Sequence, residues 1–276
     1  MTSVTQVHSK ALTFARSVWL GIALLDVGLS VAGLIIWLPL LQQVCTEAAV
    51  VCLQRGQFTA AEFAAVSATG WSWPAFVWYN VLGEVAPKLV GVVVGFMIFW
   101  RKPNDRMAWV ASLFLVIGLA TDTLDTLAAV QPALWLLTNI LSYIGIVCFA
   151  LFFYLFPTGR FVPKWSRWLA AAWGLMFFFI QFLPQSPLNV NQSGMAAGLI
   201  GGSLFVSFVL AQVYRYFRVS NAIERVQTKW VVFAVVVGII LFLGALLSVV
   251  ARPDRDQRVT QFWILTSLGF AALSYL

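Results

Sequence analysis

The sequence predicts an all-α protein that lies in a membrane as about eight transmembrane helices, with both chain ends on the cytoplasmic side. Of its 276 residues, 61% are hydrophobic and only 10% are charged, against roughly 25% charged residues in a soluble domain. The apolar residues form long runs, and the basic residues concentrate in alternate polar segments between those runs. A chain of this size cannot bury so much apolar surface in a core of its own, so lipid must be its solvent.

Each predicted span is an apolar stretch close to the roughly 20 residues that cross a hydrocarbon core of about 30 Å. The eight stretches are 17–41, 75–100, 107–130, 132–156, 168–184, 195–214, 230–251 and 259–276. Only VQP separates the third from the fourth, and Pro132 predicts a turn there because proline cannot continue a helical hydrogen-bond ladder. No small-residue cleavage site precedes the first span, which we expect to be an uncleaved anchor in a single domain over 1–276.

The positive-inside rule orients these spans. With the N-terminus in the cytoplasm, the inner segments carry twelve Lys and Arg residues and the outer segments carry four. The net charge of +7 is then explained by loops at the inner membrane surface, and no nucleic-acid partner is needed. The segments 157–168 and 215–229 become cytoplasmic interfacial loops. In the first of them we expect Trp165 to anchor at the interface and the basic side chains to face anionic headgroups; these are Arg160, Lys164 and Arg167.

The longest polar segment, 42–74, becomes an extracytoplasmic loop. The sequence Thr59-Ala-Ala-Glu62 predicts a capping box, followed by a short amphipathic helix to about Ser67 that Gly70 ends. Cys45 and Cys52 lie on the oxidising side of the membrane, which favours a disulfide. Two thiols without a nearby histidine are a poor zinc site.

Ionisable residues inside the predicted spans are candidates for function, because such groups often line a proton or cation pathway. They are Asp26, Glu84, Lys88, Asp122 and Asp125. Glu84 and Lys88 are four residues apart on one helical face, in the favourable order for an ion pair. A structural interpretation stands beside the functional one: the pair fixes helix packing, and the two later aspartates are hydrated near the outer surface.

The sequence contains little that predicts enzyme chemistry. The single histidine, His8, lies in the polar N-terminal tail, so no Cys–His pair or His-based metal cluster is expected, and no cofactor is implied. The glycine-rich GLIGGS lacks the Gly-Lys-Ser or Gly-Lys-Thr of a phosphate loop. The pair Gly91 and Gly95 is a small-xxx-small motif that predicts close helix packing, within one chain or between two copies.

Three segments at the inner ends of spans carry a family resemblance. They are IFWRKPNDRMAWVASLFLV (98–116), FPTGRFVPKWSRWLA (156–170) and ERVQTKWVVFAVVVG (224–238). Their order resembles the multi-pass N-terminal sensing region of a group of bacterial sensor histidine kinases. In the last segment we expect Lys229 to snorkel and Trp230 to anchor.

The resemblance implies a sensing or signalling module in the bacterial cytoplasmic membrane that passes its signal to a kinase module. No phosphoacceptor-histidine helix pair or ATP-binding domain follows the last predicted span in this sequence, so we expect a sensing role without kinase activity, as a stand-alone module or as part of a truncated sensor kinase. Two other functions stay open: an accessory or scaffold subunit beside another membrane protein, and a transporter of ions or small solutes. A homodimer is compatible with each of these functions, and the bilayer itself is the first partner.

Overall fold

The computed structural model describes residues 3–47, 51–52, 55–68, 70–102, 104–118, 122–156, 159–190 and 195–218. Within these ranges the chain is helical apart from one pair of two-residue strands, so the predicted all-α class is confirmed. The predicted seventh and eighth spans lie outside the described residues, as do Lys229 and Trp230.

Eight α-helices of eight or more residues lie in the described ranges. They are α1 (Ser3–Gln42), α2 (Ala60–Ala68), α3 (Trp73–Arg101), α4 (Arg106–Ile117), α5 (Asp122–Val130), α6 (Trp135–Leu155), α7 (Ser166–Phe182) and α8 (Met195–Arg218). A 3-10 turn, Pro132–Leu134, connects α5 to α6 at the predicted proline turn. The strands β1 (Val44–Cys45) and β2 (Phe58–Thr59) pair in parallel within the segment between α1 and α2.

Four helical segments in the described ranges are long and apolar enough to cross a membrane. They are Thr13–Gln42, Trp73–Arg101, Pro132–Leu155 and Leu199–Arg218. The predicted third span is bent, because Met107–Ile117 and Asp122–Val130 differ in direction by 58°, and it makes a fifth span only as a broken pair. The predicted fifth span is α7, whose 17 residues rise about 25 Å. These helices support a membrane protein, while the count of eight and the topology stay predictions.

Three apolar clusters connect the helices. The first joins α1 to β2, α2 and α3, the second joins α1 to α3, α4 and α6, and the third joins α6 to α7 and α8. In the second cluster the ring of Trp19 stacks on Phe99 with 3.9 Å between centroids. Its indole Nε1 also donates to the hydroxyl of Ser112 at 3.0 Å. Because α6 contributes to both of the last two clusters, it connects the two halves of the bundle.

The small-xxx-small motif packs within the chain. Gly91 and Gly95 are both buried on α3. A Cβ atom added at Gly95 would lie 2.7 Å from Cγ2 of Val116 and 3.0 Å from the carbonyl oxygen of Ser112, both on α4. The absence of a side chain at Gly95 therefore allows α3 and α4 to approach closely.

Candidate functional site

The central feature of the site is a buried ion pair between α1 and α3. Lys88 Nζ lies 2.7 Å from Oδ2 of Asp26, and the Asp26 side chain is fully buried. Both residues lie within two positions of the midpoints of the spans Thr13–Gln42 and Trp73–Arg101. Isolated charges at this depth would cost several kcal/mol each. The pairing lowers that cost and fixes the relative position of the two helices.

The ion pair differs from the one that sequence spacing favours. Lys88 reaches across to Asp26 instead of pairing with Glu84 one turn earlier on its own helix. Glu84 Oε1 accepts the backbone N–H of Thr123 at 3.4 Å, in the first turn of α5. A carboxylate is stabilised at a helix N-terminus by the unsatisfied N–H groups there. Asp26 is therefore stabilised by Lys88, and Glu84 is stabilised by the start of α5. Both partners lie on another helix, so residue spacing within one helix cannot predict them.

Asp122 lies beside Glu84 in the fold, and Asp125 lies beside Asp122. Both aspartates belong to the first turn of α5, and both are exposed. Acidic residues in a first turn interact favourably with the helix dipole. The structure therefore brings four of the five predicted acidic and basic candidates to one region, where α3 meets α1 and α5, and places Asp125 next to them.

A cavity of about 120 Å³ lies next to the ion pair. Its wall includes Ser30, Glu84, Lys88 and Thr123 among apolar residues of α1 and α3, and the surface that faces the cavity is apolar. Its volume is comparable with that of a cavity of roughly 150 Å³ that admits benzene. The rim includes Val31, which is 52% exposed, and Leu89, which is 60% exposed. The cavity consequently opens on the lateral surface of the helix bundle, where lipid would lie.

Apart from the two atoms of the ion pair itself, two buried polar atoms at this site lack a hydrogen-bond partner among the described residues. They are Oγ of Ser30 and Oδ1 of Asp26. An unpartnered buried polar group costs about 1–3 kcal/mol, so such groups are rare and call for an explanation. Ser30 belongs to the wall of the cavity, with its Oγ buried beneath the apolar surface. Sequence analysis missed Ser30 and Thr123, since a lone hydroxyl in an apolar run carries no distinguishing signal.

The disulfide loop, residues 43–72, covers one end of this region. Cys45 and Cys52 form a disulfide with Cα atoms 5.8 Å apart. The predicted capping box is present: Thr59 donates its backbone N–H to Oε2 of Glu62 at 2.7 Å, and Glu62 N–H donates to Oγ1 of Thr59 at 3.3 Å. Gly70 then has a φ of +82° just beyond the end of α2, as predicted.

The disulfide loop is docked on α1 and α5. Trp37 Nε1 donates to the carbonyl oxygen of Gly56 at 3.3 Å, and Thr126 Oγ1 donates to the carbonyl oxygen of Arg55 at 3.4 Å. Gly56 has a φ of +67°. A Cβ atom there would lie 2.6 Å from Trp37 Nε1 and 2.9 Å from Thr126 Oγ1. A displacement of this loop would therefore act on α1 and α5, two of the three helices that border the cavity.

The basic loop, residues 156–165, lies at the opposite ends of the long helices. The predicted signalling and anchor side chains of this region all point away from the protein core: Arg160, Lys164, Trp165 and Arg167 are exposed. Arg167 lies over the ring of Trp168, 5.2 Å from its centroid. The loop begins with a turn at Gly159, whose φ is +68° and whose N–H donates to the carbonyl oxygen of Leu155 at 2.8 Å. Pro163 precedes α7 and accepts hydrogen bonds from Ser166.

A buried arginine of α8 holds the basic loop in place. Arg215 is 1% exposed, and its Nη2 donates to the carbonyl oxygens of Tyr154 at 3.0 Å, Arg160 at 2.6 Å and Val162 at 3.3 Å. Gln212, one turn earlier, donates to the carbonyl oxygens of Phe153 and Phe156. The predicted interfacial loop 215–229 thus begins inside a helix. One sequence feature could have predicted the role of these residues: two long polar side chains lie three residues apart on one face of an apolar helix.

No group of three or more His, Cys, Asp or Glu side chains in the described part of the chain is arranged to hold a metal ion. No protein-family model matches the chain, and searches of curated proteins and of solved structures found no significant match. The geometry of the site is therefore the basis for a functional proposal.

Proposed function

We propose that the chain is a membrane-embedded sensing and signalling module. The observation that carries the proposal is the Asp26–Lys88 pair beside a cavity that opens sideways from the bundle. Buried ionisable groups in membrane spans are expensive and usually mark a functional site. Here the pair connects α1 to α3, so a molecule that competes for either charge would change how these helices pack.

The signal would travel through helices that are already connected. Glu84 contacts the start of α5, and the disulfide loop contacts α1 and α5 through Trp37 and Thr126. A cue in the cavity or at the disulfide loop would therefore act on the same three helices. Arg215 ties α8 to the basic loop, which gives a packed route toward a cytoplasmic partner. A ligand shifts such an equilibrium only through its different affinity for the two helix arrangements.

The proposal includes the finer assignments of orientation, membrane and partner. We propose eight spans with both chain ends in the cytoplasm of a bacterium. Basic residues are more numerous in the segments that this topology places inside the cell. We propose that a kinase module receives the signal. This module is joined to a homodimer of the chain or belongs to a separate protein. The resemblance of the segments 98–116 and 156–170 to the input region of sensor histidine kinases supports this choice of receiver.

The test is a fusion of the complete chain to a dimeric kinase module that lacks its own input region. Asp26→Leu combined with Lys88→Met replaces both charges by hydrophobic side chains of similar size, a change that tends to be near neutral for stability. We expect kinase output in this variant to change by roughly fivefold or more, within the usual range of allosteric coupling.

The matched control removes the exposed ion pair of the disulfide loop, in which Arg55 and Glu47 lie 3.2 Å apart. Glu47→Gln combined with Arg55→Gln should leave kinase output unchanged. If the Asp26 and Lys88 variant reaches the membrane in normal amounts and its output equals that of the unmodified fusion, the sensing proposal is wrong.

A second candidate function, transport of an ion or small solute, is favoured by one specific observation. Glu84 and Lys88 both line the lateral cavity, and buried carboxylates of this kind can carry protons. Purified protein in liposomes would then move protons or a solute down a gradient, and Glu84→Gln would abolish the flux. If the liposomes show no flux above empty controls and the kinase fusion is active, the sensing function is supported and the transport function is wrong.

A further inference from the structure

A second and larger cleft lies at the basic-loop end of the bundle. Its volume is about 620 Å³, within the range of ligand-binding pockets. The walls come from the last turns of α3, most of the length of α4 and the end of α6. The apolar lining consists of Val94, Met97, Ile98, Met107, Ala108, Ala111, Leu115, Phe152 and Phe156. This cleft also lies along the segment 98–116, which the proposed sensing site does not use.

Two cationic side chains stand at the mouth of this cleft. Arg101 is the last residue of α3, and Lys102 follows it directly. Both line the cleft and both are exposed. No carboxylate of the described residues forms an ion pair with either of them. The cleft therefore offers two neighbouring positive charges at the edge of an apolar surface.

The one acidic residue that lines the cleft is already engaged. Asp105 caps α4, since its Oδ1 accepts the backbone N–H of Met107 at 2.8 Å. A carboxylate in this position interacts with the N–H groups and the dipole of the helix start. Its negative charge is thus partly compensated by α4, and the mouth of the cleft stays attractive to an anion.

We propose that this cleft binds one anionic phospholipid, with the phosphate between Arg101 and Lys102 and an acyl chain against the apolar wall. Arg and Lys bind phosphate oxygens by charge-assisted hydrogen bonds. Arg101 ends a membrane-spanning helix, so the two cations lie at headgroup depth while Met97 and Val94 lie deeper in the apolar layer. A free phosphate would use the two charges but would leave the apolar wall bare.

This lipid site does not depend on the sensing proposal. It uses α3, α4 and α6 at the basic-loop end, whereas the Asp26–Lys88 pair lies at mid-span between α1 and α3. Basic pockets between membrane helices are known to bind the headgroups of anionic lipids. Segment 98–116 would then bind lipid, and its adjacent basic residues Arg101 and Lys102 would select an anionic headgroup.

The test is native mass spectrometry of the purified full chain with phosphatidylglycerol and phosphatidylcholine of identical acyl chains. We expect one phosphatidylglycerol to be retained in preference to phosphatidylcholine. Arg101→Gln combined with Lys102→Gln should weaken that retention by at least about tenfold, since each basic residue near an anionic headgroup contributes on the order of one factor of five.

The matched control is Arg55→Gln combined with Arg218→Gln, which removes two cations whose side chains are exposed and lie outside the cleft. It should retain phosphatidylglycerol as the unmodified chain does. Equal loss in the two double variants would overturn the proposal, because binding would then follow net charge alone. So would equal retention of the two lipids, and so would displacement of phosphatidylglycerol by millimolar glycerol 3-phosphate, which lacks acyl chains.

Discussion

The disulfide loop and the basic loop both connect apolar helices, yet different kinds of contact hold them. The disulfide loop is stabilised mainly by partners close in sequence: Cys45 with Cys52, seven residues apart, and Thr59 with Glu62, three residues apart. The basic loop is held by Arg215, which is 53 to 61 residues away from the carbonyl groups it contacts. The first loop is therefore built largely by its own sequence, and the second exists in this form only when α8 is in place.

The strongest way to break this comparison is to remove the long-range contact. Arg215→Met leaves the carbonyl groups of Tyr154, Arg160 and Val162 without their buried cationic donor. We expect the free energy of unfolding to fall by about 3 kcal/mol, because hydrogen bonds to charged groups are strong and buried unpaired groups are costly. The measurement is unfolding in mixed micelles with increasing dodecyl sulfate, followed by tryptophan fluorescence.

Arg218→Met is the control for Arg215→Met, since Arg218 lies one turn later on α8 and is exposed. Trypsin cleavage after Arg160 and Lys164 should become faster in Arg215→Met and stay slow in Arg218→Met. Equal stability of the two variants would mean that the basic loop holds its conformation without α8.

The next largest effect is expected where the disulfide loop does depend on a distant contact. Gly56→Ala forces an alanine into a φ of +67° and places its Cβ within 3.0 Å of atoms of Trp37 and Thr126. The left-handed conformation costs about 1–2 kcal/mol and overpacking adds about 1–3 kcal/mol. Because the contacting atoms of Trp37 and Thr126 belong to side chains that can shift, we expect a loss in the lower part of the summed range, about 2–3 kcal/mol, in the same micelle assay.

Gly70→Ala separates the two causes. Gly70 has a similar φ of +82°, but an added Cβ would meet no atom within 4 Å. Its loss should be about 1 kcal/mol, the cost of the backbone conformation alone. If Gly56→Ala is no more harmful than Gly70→Ala, the loop is not docked tightly on α1 and α5.

A smaller effect is expected from the local crosslink. Cys45→Ser combined with Cys52→Ser opens a ring that spans only a short stretch of chain, so the loss should be about 2 kcal/mol, at the low end for disulfides. Dithiothreitol should lower the unfolding midpoint of the unmodified chain to that of the double variant. It should leave the midpoint of the double variant unchanged. A further shift in the double variant would show that the reductant acts elsewhere.

What could be predicted from the sequence follows the same division between near and distant partners. The apolar runs, the capping box of Thr59 and Glu62 and the end of α2 at Gly70 depend on residues a few positions apart, and each is present. The partner of Lys88 could not be predicted, because spacing favours Glu84 on the same helix while the nearest acid in space is Asp26 on another. The 58° bend between α4 and α5 and the role of Arg215 likewise depend on which helices become neighbours.

The smallest effect is expected from the most conspicuous side chain of the basic loop. Arg160 is exposed, and Arg215 binds its backbone carbonyl oxygen. Arg160→Gln keeps that carbonyl oxygen, so the free energy of unfolding should change by less than about 0.5 kcal/mol, as is usual for exposed positions. The micelle assay compares it directly with Arg215→Met. A loss of about 2 kcal/mol or more would show that the Arg160 side chain itself holds the loop, which would make the basic loop as locally determined as the disulfide loop.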